Sequence, residues 1–248
     1  LTAFLDTIQD ADILTGWNSE GYDIPYIVNR IQKVLSKDDT RKLCLWKQLP
    51  KKRVFERFGR EQETYDLVGR VHLDSLELYR KYTYEERHSY RLDAIGEHEL
   101  GEKKTVYEGS LDQLYNQDFR TFVEYNRQDT VLIDKLDRKL KFIALTNELA
   151  HANTVLLQTT LGAVAVTEQA IINEAHRRGV QVPNRPKRDS DSTTAAGAYV
   201  AFPKKGLHNW IGSMDISSLY PSVIRALNMA PECVMGQLRP THTDEYIE

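Results

Sequence analysis

Cysteine is scarce in this sequence. Of 248 residues only Cys44 and Cys233 are thiols, far apart and without metal-ligand spacing. That excludes a disulfide framework and a cysteine-based metal cluster, and it is the usage expected of reduced thiols in a cytoplasmic setting. Long apolar runs are also missing: none approaches the roughly 18 residues that a membrane span requires. No charged-then-apolar leader opens the chain, so neither export nor membrane insertion is expected. An excess of one charge is lacking too, since 33 Lys and Arg against 36 Asp and Glu leave a formal charge of −3. The generic basic surplus of a phosphate-binding protein is therefore absent from the sum.

What is present is a globular composition, 41% hydrophobic and 28% charged, enough to bury a sizeable core in one large domain or parts of two. The first residue is Leu1, and the segment up to Arg30 reads as if it enters a fold already under way, so a fragment is expected. Basic charge is concentrated locally. Lys51, Lys52, Arg53, Arg57 and Arg60 face only Glu56, and residues 177–205 hold seven basic residues against Asp189 and Asp191. Either run taken alone is better read as a solvated face than as a nucleic-acid patch.

The periodicities give an α/β pattern. Thr2 to Ile8 suits a helix and Asp12 to Trp17 a short strand ending in the turn signal Asn18-Ser19-Glu20-Gly21. A helix follows from about Pro25, with proline tolerated in its first turn. Arg53–Phe58 and Thr64–Leu76 read as two strands of a hairpin around a Gly59 loop. Residues 87–109 are polar and carry no clear period. One long helix is expected from Asp118 to about Asn147 and another from about Asn153 to Arg178, closed by Gly179. Residues 181–198, with Pro183, Pro186 and Gly197, form the best linker. Beyond it, Ala198–Phe202 and Leu207–Asp215 read as strands leading into a helix over Ser218–Asn228.

The long helix carries a physical anomaly. Phe122, Tyr125, Asp129, Leu132, Ile133, Leu136, Leu140 and Ile143 fall at helical steps on one face, so Asp129 interrupts an apolar stripe. Burying an ionised carboxylate costs several kcal/mol unless a cation or hydrogen-bond donors compensate. Tyr125, one turn earlier, places a hydroxyl on the same side, an arrangement able to hold a metal ion and position a water. An ordinary Asp-Arg or Asp-Lys pair at the helix end explains Asp129 about as well in isolation. Asp23, just beyond the first strand, sits where α/β sheets form their sites, yet capping the next helix would account for it too.

Taken together, these stretches resemble family B DNA polymerases. Asn18-x-x-x-Tyr22-Asp23 is similar to the second proofreading motif, Tyr125-Asn126-Arg127-Gln128-Asp129 to the third, and Asp215-Ile216-Ser217-Ser218-Leu219-Tyr220-Pro221-Ser222 to the first polymerase motif, in family order. Leu14 to Asn18, Ser89 to Asp93 and Ile224 to Asn228 resemble the branch found in T-even phages, so the likeness covers nearly the whole chain. The resemblance implies the C-terminal part of an RNase H-like 3′ to 5′ exonuclease domain over residues 1–145. A helical connection over 146–186 and the start of a polymerase palm over 187–248 would follow.

It further implies Asp23 and Asp129 as metal ligands, Tyr125 as the residue orienting the attacking water, and Asn18 as a contact to the DNA 3′ end. In the palm, Asp215 and the Ile216 carbonyl would hold metal. Backbone N–H groups of Ser218 and Leu219 would cradle a triphosphate, as helix N-termini do, and Tyr220 would exclude a ribose 2′-hydroxyl. The implied cofactor is Mg²⁺, two ions per site, with Mn²⁺ as the substitute ion. The implied partners are primer-template DNA and dNTPs, with a sliding clamp and replication proteins as further candidates. The expected place of work is the cytoplasm.

The family's Asp-x-Glu motif is expected ahead of Leu1 and its second polymerase aspartates after Glu248. At the domain junction the run is Ala195-Ala196-Gly197-Ala198, which keeps Gly197 as a DNA-binding candidate but lacks the family's tyrosine. A stand-alone exonuclease and a noncatalytic nucleic-acid-binding module are the alternatives.

Overall fold

The computed structural model describes residues 1–57, 60–102, 109–184, 197–230, 233, 235 and 236, with side chains at 55–57 and 60 left aside. It divides into two compact units, Leu1–Arg185 and Pro186–Glu248. The first unit is mixed α/β.

Helix α1 (Thr2–Thr7) leads into strand β1 (Ile13–Gly16), and α2 (Asp23–Val34) follows. In α2 Ile24, Val28 and Ile31 recur at helical spacing and are buried, with Pro25 inside the first turn where its missing N–H costs nothing. They pack with Leu5, Ile8, Leu43, Cys44 and Leu67 into one core cluster. Val28 and Ile31 are fully enclosed, and each such side chain contributes about 1.5–3 kcal/mol of burial. A 3₁₀ turn (Asp38–Leu43) then leads to β2 (Lys51–Arg57) and β3 (Arg60–Asp66), an antiparallel hairpin. Its Gly59 tip lies outside the described residues.

Strand β4 (Val71–Asp74) runs parallel to β1 and brings Gly16 opposite Asp74. The expected strand over Thr64–Leu76 is thus two strands and a helix start. The chain turns at 67–70, and the Asp74 side chain accepts from Leu76 N, capping α3 (Ser75–Tyr82). Helix α4 (Leu92–Leu100) occupies the stretch where no period was legible, and α5 (Leu111–Gln117) opens with a capping box between Ser110 and Gln113.

The expected long helix is α6 (Phe119–Leu140) followed by a separate α7 (Phe142–Asn153). The break is Lys141, held at φ 56° and ψ 34°. A second cluster joins Leu132 and Leu136 of α6 to Tyr79, Leu92 and Ile95, with Trp17, Ile133, Leu140 and Phe142 against it. A 3₁₀ turn (Leu157–Leu161) and α8 (Ala163–Arg177) complete the unit, so the expected helix from Asn153 begins ten residues late.

In the second unit, α9 (Leu219–Ala226) forms within the expected range. The strands expected over 198–202 and 207–215 are absent among the described residues. An alternating pattern supplies propensity, but a strand exists only when a partner completes its ladder, and no described segment pairs with this one. Residues 197–229 are exposed throughout. No helix among the described residues is long and apolar enough to cross a membrane, and both cysteines are free.

Candidate exonuclease site at the end of the parallel strands

The loop from Trp17 to Asp23 leaves β1 at its C-terminal end, the edge where α/β sheets place their functional groups. Trp17 fixes its start: its indole Nε1 donates to Tyr90 O at 3.0 Å, and its ring lies 6.0 Å from that of Tyr79. The chain then doubles back so tightly that a Cβ on Gly16 would fall 2.7 Å from Ser19 Cβ. Only glycine permits this approach. Asn18 adopts φ 58°, a left-handed conformation that asparagine tolerates better than most residues. Ile24 N donates to Ser19 O at 2.9 Å, which sets the start of α2 relative to the loop.

Four neighbours grip the middle of the loop. Asp74 accepts from the backbone of Asn18 and Glu20 at 2.9 and 3.0 Å. Ser19 Oγ and His72 Nε2 share a 2.9 Å hydrogen bond, Thr64 Oγ1 donates to Glu20 O at 2.8 Å, and Arg53 pairs with the Glu20 carboxylate. Burial lowers the His72 pKa below its ordinary value, so the ring is held neutral. Sequence reading missed this set because it ran one strand through Asp74. A signal was available: Asp74-Ser75-Leu76-Glu77 has the spacing of a helix-opening capping box.

Asp23 is the first residue of α2. Its side chain reaches solvent, yet the surrounding protein pushes its carboxyl above the usual range, against a weaker hydrogen bond from its own backbone. Its cap position is therefore occupied by Tyr22, and no side-chain cap bond forms there. Tyr125 and Asp129 lie on α6, both half-buried, and Asp129 Oδ1 is withdrawn from solvent. One turn further along, Ile133, Leu136 and Leu140 line a small cavity with Trp17, Leu78 and Tyr79. The packing of α6 is thus tied to the residue from which the Asn18–Asp23 loop departs.

In the second unit Asp215, Ile216, Ser218, Leu219 and Tyr220 are all exposed, as is Gly197. Ser218 is the N-cap of α9 at φ 52°, without a side-chain cap bond. Ala195 and Ala196 of the junction run lie outside the described residues. Two members of the basic run on the hairpin are paired across it: Lys52 meets Glu63 at 2.6 Å and Arg53 meets Asp66 at 3.1 Å. Arg177 and Arg178 both pair with Glu174. Those residues therefore favour the solvated-face reading.

Comparison with known proteins gives two family matches. The exonuclease domain of DNA polymerase family B matches residues 1–95, and DNA polymerase family B matches residues 154–246. Among individual relatives, the DNA-directed DNA polymerase of Escherichia phage RB69 is 29% identical over 95% of this chain and 26% of its own length. The DNA polymerase delta catalytic subunit of Bos taurus is 31% identical over 94% of this chain and 22% of its own. A DNA polymerase of Pyrococcus glycovorans is 26% identical over 92% and 30%. This chain spans about a quarter of the length of these relatives. With an exonuclease-domain match followed by a polymerase match of the same family along one sequence, this chain belongs to family B of the DNA polymerases.

Proposed function

We propose that this chain is part of a template-directed DNA polymerase with 3′ to 5′ proofreading, and that it contributes portions of both active sites. Residues 1–145 are assigned to an RNase H-like exonuclease domain, 146–186 to a helical connection and 187–248 to the start of the palm. The division of the chain between Arg185 and Pro186 supports the last boundary.

The observation that carries the exonuclease reading is the state of its two aspartates. Asp129 Oδ1 is withdrawn from water within the face of α6 that leads into the Trp17 cluster, and the Asp23 carboxyl is pushed up by burial. A carboxylate oxygen withdrawn from water, as at Asp129, gains from a hard cation. Among the described residues no three acidic, histidine or cysteine side chains gather into a metal site. Two carboxylates still fit Mg²⁺, which takes one or two from protein and completes its shell with water and phosphate oxygens. Asp23 and Asp129 would hold such ions, which polarise the phosphodiester and ease formation of hydroxide.

The chain's own groups do the rest. Asn18 holds the DNA 3′ end, and Tyr125 orients the attacking water. In the palm, Asp215 and the Ile216 carbonyl are assigned to metal, and the first amides of α9, from Ser218 and Leu219, to the triphosphate. Tyr220 is assigned to the sugar and Gly197 to the DNA backbone. Primer-template DNA and dNTPs are the substrates, a sliding clamp is a candidate partner, and the cytoplasm is the proposed location.

The test uses the full-length protein with Mg²⁺, a primer-template and dNTPs. Asp129→Ala should abolish removal of 3′ nucleotides and spare extension, while Asp215→Ala should do the reverse. Loss of neither activity would overturn the assignment, and loss of cleavage alone with Asp215→Ala inert would favour a stand-alone exonuclease.

A further inference from the structure

The Asp74 carboxylate accepts three backbone hydrogen bonds, and that engagement exceeds what its helix requires. The residue is 4% exposed. An N-cap needs one side-chain oxygen to accept one first-turn N–H, and Asp74 Oδ1 does that for Leu76 N at 3.0 Å. The same oxygen also accepts from Asn18 N at 2.9 Å, and Oδ2 accepts from Glu20 N at 3.0 Å. Both extra donors belong to one loop, more than fifty residues away in sequence. Moving a carboxylate out of water is costly, and that cost raises its pKa here. A cap alone would be served as well by an exposed aspartate or serine.

We infer that Asp74 is a positioning residue for 3′ nucleotide removal: its two oxygens lock the Asn18–Glu20 backbone and so set where Asn18 and Asp23 stand. This rests on the exonuclease reading above. The geometry gives each oxygen a task. Asn18 has φ 58°, a left-handed conformation, and its N–H is tied directly to Oδ1. Glu20 is fixed at three points: its N–H by Oδ2, its carbonyl by Thr64 Oγ1 and its carboxylate by Arg53. Ser19 between them is buried and joined to His72, and its carbonyl receives Ile24 N from the first turn of α2. Asp23 directly precedes that anchored residue. Every acceptor on Asp74 must stay an acceptor for this to hold, since an amide in its place turns one oxygen into a donor facing an N–H.

The test is Asp74→Asn in the full-length protein, with Asp74→Glu and Asp129→Ala beside it. Cleavage of a single-stranded oligonucleotide from its 3′ end is measured together with backbone hydrogen exchange. Supporting outers of a catalytic centre typically cost 10–100-fold in activity when lost. Asp74→Asn should lower kcat by about that factor and change KM by less than about threefold. Exchange at Asn18 and Glu20 should accelerate while protection of Leu132 and Leu136 in α6 is kept. Asp74→Glu, which retains both acceptors, should recover part of the rate.

Unchanged kcat, or unchanged exchange at Asn18 and Glu20, overturns the inference. Should Asp74→Asn lose protection everywhere, the native protein decides: Asn18 and Glu20 amides exchanging like open-loop amides overturn it, and protection matching the β1–β4 ladder upholds it. If Asp129→Ala also leaves cleavage intact, the exonuclease reading itself fails. Cleavage lost in Asp129→Ala but intact in Asp74→Asn removes only the positioning role.

Discussion

Leu132 of α6 sits directly on Gly96 of α4: a Cβ built at Gly96 would lie 2.8 Å from Leu132 Cδ2 and 3.1 Å from Cδ1. Both residues are buried, so the leucine has no open space into which to swing. Helix α6 carries Tyr125 and Asp129, and its seating on α4 therefore sets their position. Gly96→Val should destabilise the protein by about 1–3 kcal/mol, as overpacking of a filled core does. In a double-mutant cycle, Leu132→Ala should cost less in the Gly96→Val background than alone, because the cavity it leaves takes up the added methyls. Strict additivity in denaturant melts would refute the contact.

Lys141 separates α6 from α7 and does so in a left-handed conformation, with Asp137 Oδ1 accepting from Ile143 N at 3.2 Å to start the new helix. A non-glycine residue there bears a cost of about 1–2 kcal/mol. Lys141→Gly should be neutral or stabilising by up to about 1 kcal/mol, whereas the β-branched Lys141→Val should destabilise. Asp137→Ala, which removes the acceptor, should cost about 0.5–2 kcal/mol. Thermal unfolding of the three variants checks the order.

Tyr220 stands 73% exposed at the start of α9, so its replacement should disturb the fold little. If it packs under the incoming sugar, Tyr220→Ala in the full-length protein should admit ribonucleotides about 10–200-fold more readily, the range that shape alone provides in a pocket. Single-nucleotide incorporation with dNTP and rNTP measures the ratio. An unchanged ratio would remove Tyr220 from sugar selection.

The elements legible in the sequence were those whose signal is local. Ile24, Val28 and Ile31 mark α2 by spacing alone, and the turn at Asn18–Gly21 ends β1 where expected. The break at Lys141 carried no glycine or proline, and the stabilising contact comes from Asp137, whose role is visible only once α6 has turned. Helix α4 was hidden because its buried face is only Leu92, Ile95 and Gly96, too short a stripe to stand out from polar neighbours. Asp129 drew notice as a charge on an apolar face. Asp74 did not, since its partners Asn18 and Glu20 are backbone groups distant in sequence. The cap on Leu76 was marked locally by Asp74 and Glu77, but bonds to a distant main-chain loop leave no mark in the sequence of either segment.

His72 gives the loop a dependence on pH. Its ring is half-buried, bonded to Ser19, and held below the ordinary value of 6.5 mainly by desolvation, which outweighs the opposing pull of Glu20, with a smaller lowering from the nearby Arg53. Above that value the ring is neutral in both folded and unfolded chains and contributes no slope. As pH falls through 6.5 the unfolded chain takes up a proton that the folded chain refuses, so stability declines until the lower folded pKa is reached. The slope for one such group is at most about 1.4 kcal/mol per pH unit. Asp23 and Asp74, whose folded pKa values are raised by burial, work with the opposite sign from 3.8 upward, favouring the fold at lower pH. Comparison with His72→Gln isolates the histidine, because the amide still bonds to Ser19 and does not titrate. Between pH 7 and 5 the denaturation midpoint of the native protein should fall more steeply than that of His72→Gln. Parallel profiles would show that the ring takes up its proton without disturbing the loop.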